Sequence, residues 1–194
     1  MKEEHSSPVE LDELLAAEFN YIAQTAAQAN EDRAQLSSFY LIAVGSLIAA
    51  LFSAQLFDPD KFTQTVNLMF SGIFALLTVF GASTVMQLAQ LRSAWYESML
   101  AMNQIKDFAS SQNPELASAF RWTTQTLPRK YKRGSVSYYR ALEVAIIGGL
   151  MFGAAAYFLQ QAFGPANLAT WIVCALMGGL AAWAQMKIYK KLLT

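Results

Sequence analysis

The chain has 194 residues, and few of them are types that could do chemistry. It has one histidine, His5, and one cysteine, Cys174. A zinc site needs several converging His, Cys or carboxylate ligands, and a nucleophilic relay needs a histidine beside its Ser or Cys. His5 stands near the amino terminus and supplies neither. Cys174 lies in an apolar run and has no second cysteine to pair with. Glu97, Asp107 and Glu115 lack metal-ligand spacing, and no glycine-rich phosphate loop is present. The expectation is no enzyme, with no catalytic residue, cofactor or metal site.

Two features remain. Glu143 is the one ionisable residue placed inside an apolar span, and an intramembrane carboxylate is a functional candidate because its burial is costly. It stands three residues after Arg140, so a structural pair with that arginine is one reading. A proton or cation site in a small transporter or channel is the other. The second feature is the segment Arg129–Arg133, in which four of five residues are basic. Arg129, Lys130, Lys132 and Arg133 are candidate contacts for anionic lipid, each adding about 1 kcal/mol near a charged leaflet. The acidic amino-terminal arm offsets this charge, which argues against nucleic acid as a partner.

The elements that must carry these groups are membrane spans. The chain is 55% hydrophobic and 14% charged, against roughly 25% charged in soluble domains. No charged residue occurs in 34–57, 62–91 or 144–186. At ~20 residues per span these runs hold four, predicted at 37–57, 66–88, 141–163 and 168–186. The fold class is therefore all-α: an integral membrane protein with four transmembrane helices in two hairpins and cytoplasmic helical extensions. Of the 14 Lys and Arg, 13 lie in the amino-terminal arm, the central segment or the tail, and only Lys61 lies in a short turn. The positive-inside rule then places both termini and the centre in the cytoplasm. The expected location is the inner membrane.

The predicted divisions are an arm at 1–36, the first hairpin at 37–88, a helical segment with the basic stretch at 89–140, the second hairpin at 141–186, and a basic tail at 187–194. Ser7-Pro8-Val9-Glu10 reads as a capping-box start. The arm then shows an alternating four-three spacing, Leu15, Phe19, Ile22, Ala26, Ala29, interrupted at Arg33. That pattern suits a seam between subunits or a helix packed on its own central segment. Residues 1–36 carry two basic and eight acidic residues, net −6; residues 92–140 carry eight and three, net +5. Electrostatic docking of arm on centre is expected. The second span continues as an amphipathic helix to Asn113, followed by a short helix carrying Phe120 and Trp122. Gly149 and Gly153, with Gly178 and Gly179, should pack spans three and four closely. Mild polar residues such as Ser53, Ser71, Thr78 and Thr84 suggest hydrogen bonds between helices.

The arm at 20–35, running into Ser37-Ser38-Phe39-Tyr40 and the hairpin to Leu88, resembles the SLATT-type group of small bacterial multi-pass proteins. The resemblance implies a cytoplasmic helix joined to a transmembrane hairpin, and a pore-forming effector role. The second hairpin is an addition to that pattern. The functional expectation is a non-enzymatic, self-associating inner-membrane protein, an oligomeric scaffold or effector that includes pores among its forms. Its partners would be anionic membrane lipid and further copies of itself. A transporter or channel using Glu143, and an accessory subunit bound to another protein of a larger complex, are the alternatives.

Overall fold

Helices without a breaker at the edge of an apolar span can run past it, and the first two do so, since 11–44 and 82–112 hold neither Gly nor Pro. The computed structural model describes residues 11–53 and 63–194. His5, the start at Ser7–Glu10 and the turn containing Asp58, Pro59, Asp60 and Lys61 lie outside the described residues. Helix α1 spans Leu11–Ser53, 43 residues, and α2 spans Gln64–Gln112, 49 residues. At 1.5 Å per residue they measure about 65 and 73 Å, more than twice a hydrocarbon core of ~30 Å. Helix α3 is Val136–Phe163 and α4 is Leu168–Leu193. All four are long and apolar enough to cross a membrane, and no strand occurs among the described residues.

The ends are set locally. Thr63 caps α2 by accepting from the Val66 N–H. Asn113 closes α2 and opens a 3-10 turn at Pro114–Ser118. That turn stops before Phe120 and Trp122, which lie in irregular chain and not on the short helix expected. Their segment is held to α2 through Asn103 Nδ2 donating to the Thr123 carbonyl and the Thr124 N–H donating to Asp107. Gly134, at φ +80°, makes a tight turn closed by Ser135 N–H to the Lys132 carbonyl, a conformation that favours glycine. Ser135 then caps α3, whose first residue, Val136, stands five residues ahead of the predicted span. Asn167 and Thr170 form a reciprocal capping box at α4.

Helix α2 is central and packs on α1, α3 and α4. One apolar core joins Tyr40 and Val44 of α1, Phe74 and Leu88 of α2, Val144 of α3 and Tyr189 of α4. A second, smaller core lies beyond the spans. There Ile22 and Ala26 of α1 bury against Met102 of α2, flanked by Phe19, Trp95, Met99 and Ile105. Ala29 is buried on the same stripe and Leu15 is half-buried. The arm is thus docked within the chain, and by apolar packing. Asp12, Glu13, Glu18 and Glu31 are exposed, and Lys130–Glu97 at 3.5 Å is the one ion pair among the described residues. Among the described residues, apolar packing and not the electrostatic docking expected from the charge imbalance joins arm to centre. Exposed pairs contribute little, whereas a buried apolar stripe contributes roughly 1.5–3 kcal/mol per large side chain.

Small residues set the spacing of α3 and α4. A methyl group on Gly149 would sit 2.5 Å from the Gly178 carbonyl oxygen, and one on Gly153 would sit 2.9 Å from that of Cys174. Gly179 faces away from this contact and has open space around it, so it takes no part in the packing expected of it. Ser71 Oγ donates to the Ala155 carbonyl across α2 and α3. Ser53, Thr78 and Thr84 instead bond back to carbonyls four residues earlier, so most of the expected interhelical bonds are local ones. Buried Cys174, the chain's single thiol, reports on this packing. Gly149→Val should overpack the contact by about 1–3 kcal/mol and raise maleimide labelling of Cys174 roughly 5- to 150-fold. Gly179→Val should leave labelling within about twofold; equal effects would show that the close approach at Gly149 does not hold the helices.

Candidate functional site

The feature that stands out from the packing is a polar layer at the level where the spans end. Each helix gives it one residue. Arg33 of α1 precedes the first uncharged run, and Arg92 of α2 directly follows the second. Ser137 stands in the first turn of α3, and Tyr189 in the last turns of α4. The antiparallel pairing of α1 on α2 brings the two arginines to one height.

Both arginines are buried, Arg33 to 7% exposure and Arg92 to 8%. Arg33 Nε donates to the Ala29 carbonyl at 3.2 Å, and one terminal nitrogen donates to Ser137 Oγ at 2.6 Å. Arg92 Nε donates to the Lys130 carbonyl at 3.2 Å. Tyr189, 1% exposed, donates its hydroxyl to the Ser137 carbonyl at 3.2 Å. Trp95 lies beneath both guanidiniums, with its ring centroid 4.2 Å from Arg92 and 5.9 Å from Arg33. Cation–π contacts of this kind contribute on the order of 0.5–2 kcal/mol. The two charges are therefore at most about 10 Å apart, near one Debye length at physiological salt.

No carboxylate balances them among the described residues. Glu97 pairs with Lys130, and Asp32 faces an open groove on the α1–α2 surface beside Gln35 and Phe39. At ~10 Å and an effective dielectric of ~20, the mutual repulsion is about 1–2 kcal/mol. Burial, and then the nearby charge of Arg92, pushes the pKa of Arg33 down from its ordinary value, and burial does the same to Arg92. Both stay cationic at neutral pH, because guanidinium does not deprotonate in proteins. A cluster of this kind can orient and hold an oxyanion. It contains no nucleophile paired with a base.

Comparison of the chain with protein-family models, with curated proteins and with solved structures finds no match.

The residues singled out in the sequence fall elsewhere. Arg129, Lys132 and Arg133 are exposed. Lys130 is half-buried, donating to Ser93 Oγ at 2.8 Å beside its pair with Glu97. Glu143 is exposed on the outer face of α3 and makes no hydrogen bond or ion pair among the described residues. The expected pair with Arg140 is not formed. Sequence reasoning treated Arg33 as an interruption of a seam and Arg92 as one charge in a total. The available signal was their position as the charges bordering two uncharged runs.

Tyr189 ties the layer together and gives a titration to follow. Burial raises its phenol pKa above the usual 10, with the Ser137 side-chain hydroxyl and the two arginines opposing more weakly. The neutral form is thus favoured in the folded chain. Its contribution is complete below about pH 10 and is lost as pH rises through the raised native value. Tyr189→Phe should lower stability at pH 7 by about 1 kcal/mol and make the alkaline loss shallower, both measured by thermal unfolding. A steeper alkaline loss in the variant would contradict this assignment.

Proposed function

We propose that the chain is a non-enzymatic membrane protein that self-associates and works as an oligomeric scaffold or effector in the inner membrane, with both termini cytoplasmic. The observation that carries this reading is apolar surface left exposed outside the spans. The extension of α1 and α2 projects about 40 Å at 1.5 Å per residue. It buries one stripe internally, yet Leu11, Leu14 and Tyr21 remain 58%, 56% and 66% exposed on the arm. Phe108 and Trp122 are exposed on the central segment. Within a bilayer such exposure is ordinary. In water it favours burial against a second copy, at roughly 25 cal/mol per Å² of apolar surface.

The residues that meet a second copy are then not the stripe Phe19, Ile22, Ala26 and Ala29, which packs on α2 in the same chain, but the arm's outer face. Arg129, Lys132 and Arg133 would contact anionic lipid beside the membrane. The architectural resemblance to SLATT-type proteins supports an effector, with a pore as one form it could take. Mass determination in lipid nanodiscs tests the assembly. Leu14→Glu combined with Tyr21→Glu should lower the oligomer mass without affecting insertion, since both side chains are exposed. Ile22→Asp should instead detach the arm from α2, seen as increased proteolysis near Ala26. An unchanged mass in the double variant would end the arm-mediated reading.

Orientation has its own check. A reporter fused after Thr194 should be active only as a cytoplasmic reporter, because 13 of 14 basic residues lie on the side of the tail. Periplasmic activity would reverse the topology.

A further inference from the structure

We propose that Arg33 and Arg92, with the Ser137 hydroxyl, form a binding site for a phosphate group, carried by a phospholipid headgroup or free in solution. The site differs from the exposed basic stretch at 129–133, and it stands whether or not the chain self-associates.

The first argument is the count of donors. A guanidinium carries five N–H groups. Two are used on Arg33 and one on Arg92, which leaves three and four without an acceptor among the described residues. Ser137 Oγ accepts from Arg33, and its hydroxyl lies beside the Tyr189 phenol. Buried polar groups are ordinarily satisfied, and buried charges are ordinarily paired.

The second argument is access and orientation. Among the described residues, the fully enclosed side-chain polar atoms without a partner are Thr124 Oγ1 and Gln185 Oε1. The free guanidinium nitrogens are not among them, so part of their surface is open to solvent. The Arg92 guanidinium carbon lies 4.2 Å from the Trp95 ring centroid, and Nε is held by the Lys130 carbonyl. The two terminal nitrogens are left for bidentate contact with phosphate.

The third argument is position. Ser137 sits in the first turn of α3, where the helix dipole adds positive potential. All of these groups lie about one turn beyond the apolar spans, the level at which phospholipid phosphates sit. An oxyanion there would accept the free N–H groups and relieve the repulsion between two buried charges.

The test uses the full chain. In detergent, inorganic phosphate is titrated at constant ionic strength, and unfolding is followed by maleimide labelling of Cys174. In parallel, nanodiscs of phosphatidylglycerol are compared with nanodiscs of digalactosyldiacylglycerol, a bilayer lipid that carries no phosphate. The wild type should be stabilised in at least one arm. Arg92→Gln and Arg33→Gln should each weaken that response tenfold or more, while Arg129→Gln and Lys132→Gln should keep it. Stabilisation by phosphatidylglycerol alone assigns the ligand as a lipid headgroup; stabilisation by inorganic phosphate as well assigns a site open to the free anion. No response of the wild type in either arm overturns the proposal, as does an unchanged response in Arg92→Gln. Should the glutamine variants fail to fold, Arg92→Lys keeps the charge without the planar fork. A weakened response in that variant supports the site, and a full response overturns it.

Discussion

The structure depends on a close approach made on both sides of α3 by two adjacent glycines. Gly148 lies against α2, where a methyl on Gly81 would come within 3.2 Å of the Gly148 Cα. Gly149 lies against α4 at Gly178. With no side chain at either position, α3 contacts two helices at backbone distance at the same level. Lipid offers apolar helices little reason to leave it, so association relies on dispersion contacts and on fit. Two neighbouring glycines provide that fit in two directions at once.

The geometry of the polar layer follows from this constraint. Gln185, one turn before Tyr189 on α4, packs on Gly148. Tyr40 of α1 fills the space beside Gly81 and donates its hydroxyl to the Leu77 carbonyl. With α1 to α4 registered at that depth, Arg33, Arg92, Ser137 and Tyr189 meet further along the bundle, about two to three turns from Tyr40, Gly81 and Gly148 and about one turn from Gln185. Two buried, like-charged side chains are an electrostatic cost that packing alone does not demand. Replacing buried ionic groups with apolar ones is often neutral or stabilising. That cost is most simply understood as the preorganisation of an anion site.

The arm shows how interactions of different strength compete. Its net charge of −6 against +5 in the central segment is the larger feature of the sequence. The contact that forms is instead the short apolar stripe of Ile22 and Ala26 on Met102. Long charged side chains lose rotamer freedom to pair in water and gain little. Asp12, Glu13, Glu18 and Glu31 accordingly stay exposed to solvent. Lys130, tethered to Ser93 and Glu97, is the basic residue of the cluster whose place is fixed. It positions the carbonyl that Arg92 uses.

The all-helical class, four helices long and apolar enough to cross a membrane, and the continuation of α2 to Asn113 were legible in the sequence. Each depends on local composition: apolar run length and the absence of Gly and Pro. The Gly149–Gly178 contact was legible as well, because small residues at helical spacing have few other uses in a span. Tertiary structure alone decided the rest. Gly179 and Gly178 are adjacent and chemically identical, yet only the rotation of α4 about its axis puts one in the contact and the other outside it. Glu143 and Val144 are likewise neighbours, and helix rotation leaves the carboxylate outside while Val144 enters the core. Arg33 and Arg92 are 59 residues apart in sequence. Their meeting depends on the register of α1 against α2, which is set by packing along the whole interface and has no local signature.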